Sequence, residues 1–138
     1  MTKPTSRHRA RELVVQALYQ WHMTQHSALE IELQFREEGL ANADQNYFST
    51  LLQGVITKYP ELDEKLHQSI DREINELNPV ELAILRLATY ELLFQPDVPY
   101  KVVINEACEL AKKFGSVDGY KYVNGVLDHL ANKMLKGQ

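Results

Sequence analysis

The sequence predicts an all-α fold, with seven helices gathered into one compact domain over residues 1–138. Three observations lead there. Apolar residues recur at i, i+3, i+4 spacing along most of the chain, the signature of helices with one buried face. No segment shows sustained period-two alternation bounded by hairpin turns. Proline, glycine and capping residues divide the chain into helical stretches joined by loops of two to six residues, which implies antiparallel neighbours. No internal repeat, low-complexity tract or dividing linker is present.

The first helix should run from about Ser6 to Thr24, capped by Ser6 or Thr5, with Ala10, Leu13, Val14, Ala17, Leu18 and Trp21 as its apolar stripe. A second, from about Ala28 to Glu38, ends at Gly39, a residue suited to a left-handed terminus. Asn42 with Gln45 three residues on has capping-box spacing and opens a third helix, to about Tyr59. Pro60 should end that helix and start a fourth, to about Ile70. Residues 71–77 either continue it or form one separate turn. Asn78-Pro79-Val80-Glu81 is the strongest start signal in the chain: capping amide, proline at the first helical position, glutamate at the third. The helix behind it, to about Phe94, is apolar nearly all round and should lie at the centre of the domain. A sixth helix runs from about Pro99 to Phe114, where Gly115 stops it. The seventh runs from about Val117 to Leu135, with Tyr120, Val123, Leu127, Leu130 and Met134 inward.

Composition bounds the function. At 138 residues, 44% hydrophobic and 25% charged, the chain can bury a real core. No apolar run reaches the roughly 18 residues that would span a bilayer. The basic N-terminus leads into an amphipathic stretch rather than a signal peptide, and Cys108 is a lone cysteine. A cytoplasmic protein is the simple reading. Net charge is −4 but unevenly spread. Lys3, Arg7, Arg9 and Arg11 precede the first acid, whereas Glu30 to Glu81 holds twelve acids against four cations, a local −8. A basic end and an acidic middle suggest two binding surfaces of opposite sign, with an ordinary solvated surface as the plain alternative.

Catalytic and cofactor signatures are missing. The five histidines are scattered; His22 and His26 share a face but have no third ligand nearby. There is no phosphate-binding glycine loop and no nucleophile elbow. Cys108 lies beside the core stripe of its helix and reads as a small hydrophobe. No catalytic residue, metal or cofactor is expected.

Two clusters suggest binding. Arg7 and Arg11 share a helix face, and Lys3 and Arg9 can reach from the arm or an adjacent face. Cations at a helix N-terminus oppose its macrodipole, so an anion such as phosphate is the expected occupant; a solubilising tail is the alternative. The second cluster, from Lys112 to Tyr122, interleaves cations and aromatics at a glycine-containing turn, which suits unpaired RNA. Phe114 and Tyr120 also fit core stripes, while Tyr122 is the better candidate for an exposed ring. Asp118 can favour the last helix's dipole or accept a bond from a base.

These features, in this order, resemble the NusB family of bacterial transcription antitermination factors. The matching blocks are Arg7–Glu12 with Val15–Tyr19, Leu85–Leu92, Asp97–Ala107 continuing through Ala111–Gly115, and Lys121–Asp128. They span essentially the whole chain. The resemblance implies two small helical bundles packed across each other. It implies binding to boxA single-stranded RNA together with the ribosomal protein NusE, and a place in the RNA polymerase antitermination complex that reads through terminators, notably in ribosomal RNA operons. Carried over by position, the RNA-binding residues are Lys3, Arg7, Arg9, Arg11, Tyr100, Lys101, Phe114, Asp118, Lys121, Tyr122 and Asn124. The partner-binding residues are Tyr19, Glu76 and Glu81. His8 departs from an all-arginine run, and Tyr122 stands where phenylalanine is common. A homodimer of the free protein is left open. Asn105 and Gly125 read as structural, with Gly125 allowing close helix approach. The rival readings are a protein-only helical scaffold, in which the basic arm is incidental, and an accessory domain of an RNA-modifying enzyme.

Overall fold

Helix-forming patterns decide the architecture, and the computed structural model describes residues 5–136. Six α-helices and one 3₁₀ turn make up the described residues: α1 (Ser6–Thr24), α2 (Ala28–Glu38), α3 (Gln45–His67), the turn Ile74–Glu76, α4 (Pro79–Phe94), α5 (Tyr100–Phe114) and α6 (Gly119–Leu135). Seven helices were expected. The difference lies at Pro60, which sits inside α3 instead of ending it. Proline in a helix interior costs about 3 kcal/mol. The apolar stripe Leu51, Leu52, Val55, Leu62 and Leu66 keeps helical spacing across Pro60, and all five are fully buried. Burying a leucine is worth about 1.5–3 kcal/mol, so the two beyond the proline are enough to carry the helix on. Residues 71–77 then form the separate turn.

The chain divides into two compact units, residues 1–57 and 58–138, with α3 running through the boundary. In the first, Thr5 caps α1 by accepting the His8 N–H at 3.0 Å, and Ser27 with Glu30 forms a reciprocal capping box on α2. Gly39 ends α2 at φ +94°, a conformation few other residues adopt. Asp44, rather than Asn42, caps α3 by accepting from the Tyr47 N–H at 3.0 Å; Asn42 is spent in the preceding turn at φ +65°. Phe35 of α2 stacks on Phe48 of α3, and both are buried, as are Ala10, Val14 and Leu18 of the α1 stripe. Glu32 accepts bonds from Arg36, Ser49 and Gln53. Burial alone would raise its carboxyl, but those donors outweigh it and hold the group below its usual range.

In the second unit, α4 packs on α5 and α6, and α5 packs on α6. As its composition predicts, α4 is buried on every face, without a break from Glu81 to Glu91. Its polar residues therefore need partners inside the protein. Thr89 bonds back to the Leu85 carbonyl at 2.7 Å, and Arg86 makes a two-pronged bond to Asp63 at 2.8 and 2.8 Å. Asn78 caps α4 as expected, accepting from the Val80 and Glu81 N–H groups at 2.9 and 3.2 Å. Asn78→Ala should therefore destabilise the protein by about 1 kcal/mol in denaturant unfolding.

Candidate RNA interface

The basic arm is the first candidate, and only part of it is presented outward. Lys3 lies outside the described residues. Arg7 is exposed, with its guanidinium 4.2 Å from the centre of the Tyr47 ring. Arg9, half-buried, donates to Glu12 at 2.9 Å, and His8 stands 3.4 Å from the other oxygen of the same carboxylate. Arg11 is only 4% exposed: its guanidinium lies 5.4 Å from the Tyr47 ring centre and 3.5 Å from the Tyr47 hydroxyl. The helix turns Arg11 inward because it lies one turn after Arg7, on the side of Tyr47. Arg7 and Arg9 form the outward half of the arm, and Arg11 supports the tyrosine beneath Arg7. Nothing local in the sequence marks Tyr47, which is distant in the chain.

The second candidate begins where α5 starts, with Tyr100 and Lys101 both exposed in its first turn. At its far end, Phe114 is half-buried with the Lys113 ammonium 5.5 Å from its ring centre. Asp118 and Lys121 are exposed and stand 3.5 Å apart across the start of α6. Tyr120 carries two cations, Lys112 at 5.0 Å and Lys121 at 6.0 Å. Asn124 is exposed, and its side-chain oxygen lies 3.7 Å from the Cys108 sulfur. Burial pushes the Cys108 thiol up, away from the ionised form a nucleophile needs.

Tyr122, expected to be the exposed ring, is half-buried and held by two residues that sequence reasoning missed. Arg72 lies 4.7 Å from its ring centre, and its hydroxyl donates to Asp71 at 3.3 Å. Asp71 and Arg72 pair at 2.8 Å. That Arg72 bond, foremost, holds the Asp71 carboxyl below the usual carboxylate range, while burial pushes the Tyr122 phenol above its own. The partners are 51 positions apart, and no local pattern connects them.

Glu81, expected on a partner surface, is buried. Its Oε2 accepts from the Ser116 N–H at 3.2 Å and from the Ser116 hydroxyl at 2.7 Å. It thereby fixes the turn that presents Phe114, Asp118 and Lys121. Gly119 leaves room for it, since a Cβ there would collide with Glu81 Oε2, stand 2.8 Å from the carboxyl carbon and push the carboxylate off Ser116. Glu76 is exposed, and its carboxylate accepts the Glu73 N–H at 2.8 Å. Tyr19 is 40% exposed, beside a groove of about 530 Å³ that Met23 and Gln34 also line. Gly125 departs from expectation: nothing lies within 4 Å of the place a Cβ would occupy, so no helix approaches there.

Among the described residues, no group of three or more His, Cys, Asp or Glu side chains could hold a metal ion, and no helix is long and apolar enough to cross a membrane. Fold and surface together define a helical protein whose outward chemistry, cations set against aromatic rings, suits polyanions with planar bases. Comparison with known proteins makes the class specific. The NusB family model matches residues 8–132. The transcription antitermination protein NusB of Pseudomonas savastanoi pv. phaseolicola is 55% identical over 133 residues, covering 96% of this chain and 81% of that protein. A solved structure of T. maritima NusB superposes with a TM-score of 0.81 at 32% identity, covering 96% and 93% of the two chains. A crystal structure of the antitermination factors NusB and NusE in complex with dsRNA matches with a TM-score of 0.84 at 26% identity, covering 93% and 97%. The chain belongs to the NusB family.

Two outcomes follow from this geometry. Glu81→Ala and Gly119→Ala should each cost about 1–3 kcal/mol in denaturant unfolding and speed hydrogen exchange at the Ser116 amide, because both break the same brace. The depressed Asp71 carboxyl means its link to Arg72 and Tyr122 is present above the ordinary carboxylate range and is lost only as pH falls through the lowered value. A carboxyl NMR titration should find Asp71 ionising below the ordinary aspartate value.

Proposed function

We propose that this chain is a transcription antitermination factor that acts by binding rather than catalysis, holding boxA RNA together with NusE so that RNA polymerase reads through terminators, notably in ribosomal RNA operons. The single observation that carries the reading is family membership across nearly the whole length, joined to a related solved complex of NusB, NusE and RNA. Residues 1–138 would work as one RNA-binding domain in the cytoplasm.

Within this reading the RNA contacts are Arg7 and Arg9 of the arm, with Lys3, and Tyr100, Lys101, Phe114, Asp118, Lys121, Tyr122 and Asn124 of the second unit. Arg11 serves the arm from beneath, through Tyr47, and Glu81 serves the aromatic turn through Ser116. Tyr19 and Glu76 are the outward members of the partner surface. The exposed Met23 beside Tyr19 supplies apolar area of the kind a protein partner covers. Simultaneous contact with RNA and a basic ribosomal protein would let each partner lengthen the other's stay.

The test is binding of a short boxA-like single-stranded RNA, a scrambled strand and a double-stranded form, each with and without NusE. Affinity for the boxA strand should exceed that for the scrambled one and fall with salt, with a log–log slope of about −2 to −3 for about four phosphates neutralised. Arg7→Ala with Arg9→Ala should weaken binding and flatten that slope while leaving the fold intact. Arg11→Ala should instead lower stability as well, because it uncovers Tyr47. Equal affinity for boxA and scrambled strands would defeat the reading, as would binding indifferent to salt.

A further inference from the structure

An open groove of about 460 Å³ lies in the second unit between the end of α3, with the residues that follow it, and the face of α6. Its α6 wall carries Lys121, Tyr122, Gly125 and His129, and its opposite wall carries Gln68 and Ser69. Gly125 forms an anomaly in this wall. Glycine is the poorest helix former after proline, and this one lies mid-helix at an exposed position. Neither backbone geometry nor packing within the chain asks for it: its φ is not positive, and a Cβ would meet nothing within 4 Å. A residue that weakens its helix without serving any neighbour in the fold keeps space open for something outside the fold.

The groove's chemistry says what that is. Tyr122 offers a half-buried aromatic ring at one end, with the Arg72 guanidinium 4.7 Å from its centre, and Lys121 adds a cation beside it. Ser69 Oγ and His129 Nδ1 lie 2.9 Å apart, so the imidazole is held with its Nε2 left to hydrogen-bond. Gln68 uses its carbonyl oxygen on Lys133 at 3.3 Å, which leaves its amide N–H₂ as a donor. The acid on the rim, Asp71, is neutralised by Arg72 at 2.8 Å. A flat ring face, a cation and hydrogen-bonding groups along one open wall are the set an unpaired base and its phosphate require.

We propose that this groove is a nucleotide subsite, in which one base of the bound strand lies over the missing side chain of Gly125, next to Tyr122, with its edge toward Ser69, His129 and Gln68. The proposal rests on the RNA-binding reading above and extends it past Tyr122 along α6. It makes Gly125 a specificity-determining position that works by absence.

The experiment compares the wild-type chain, Gly125→Ala and Gly125→Leu, using the boxA-like single strand and a series of the same strand with one base at a time removed to leave an abasic sugar. Gly125→Ala should raise the melting temperature, since the helix gains and no neighbour is struck. Gly125→Leu, which fills the groove, should weaken the intact strand about fivefold or more, the loss expected for one stacked base. In the wild type one abasic position should cost a similar factor, and that cost should vanish in Gly125→Leu, because base and leucine compete for the same space. Intact RNA bound equally well by Gly125→Leu and wild type would overturn the subsite. So would a Gly125→Leu defect that leaves every abasic penalty unchanged. Failure of the wild type to prefer the boxA strand would instead strike at the RNA-binding reading itself.

Discussion

The total burial of α4 is the constraint from which the second unit is built. A helix with no wet face cannot leave a charge unpaired, so its buried charged side chains need partners inside the protein. Arg86 takes both oxygens of Asp63, which ties the end of α3 to α4. Glu81 takes both donors of Ser116, which ties the turn between α5 and α6 to the first turn of α4. The carboxylate also sits in the first turn of α4, where the macrodipole favours a negative charge. A single buried side chain thus complements the dipole of its own helix and holds in place the turn that carries Phe114, Asp118 and Lys121.

Electrostatics outside the core follows a second rule. Three half-buried rings of the second unit already have a cation against them: Lys113 on Phe114, Lys112 on Tyr120, Arg72 on Tyr122. An exposed cation–π contact is worth about 0.5–1 kcal/mol, whereas stacking a base on an aromatic ring is worth about 1–3 kcal/mol. On those figures a base that stacked in place of such a cation would do so at a net gain. The pairs keep apolar rings from lying bare in the absence of a ligand without closing them to one.

Local features were legible in the sequence, and relations across distance were not. Asn78-Pro79 marked the start of α4, Gly39 the end of α2, and the unbroken apolar composition of α4 its burial. Those signals work within one helical turn. Pro60 misled because proline's local cost was read without the stripe from Leu51 to Leu66 that outweighs it. The arm was legible as charge, but charge does not say which arginine faces inward. That depended on Tyr47, and Arg11 was spent on it. Glu81 was likewise legible as acidic and invisible as a brace, since its partner Ser116 is 35 positions away. The clasp of Asp71 and Arg72 on Tyr122 depends on the same kind of long-range meeting.

Gly125 shows the limit from the other side. In sequence a glycine within a helix invites the explanation that another helix crosses closely there, because that is the commonest reason to give up a side chain. The structure removes that explanation by leaving the position open. What then distinguishes an idle glycine from a used one is its surroundings: an unremarkable stretch of surface in the first case, a groove with a ring, a cation and hydrogen-bonding groups in the second. Gly125 stands in the second. Its helix gives up stability at that point, and the fold gets no packing in return. A binding surface is the remaining beneficiary, and it lies directly beyond the aromatic turn that Glu81 holds in place.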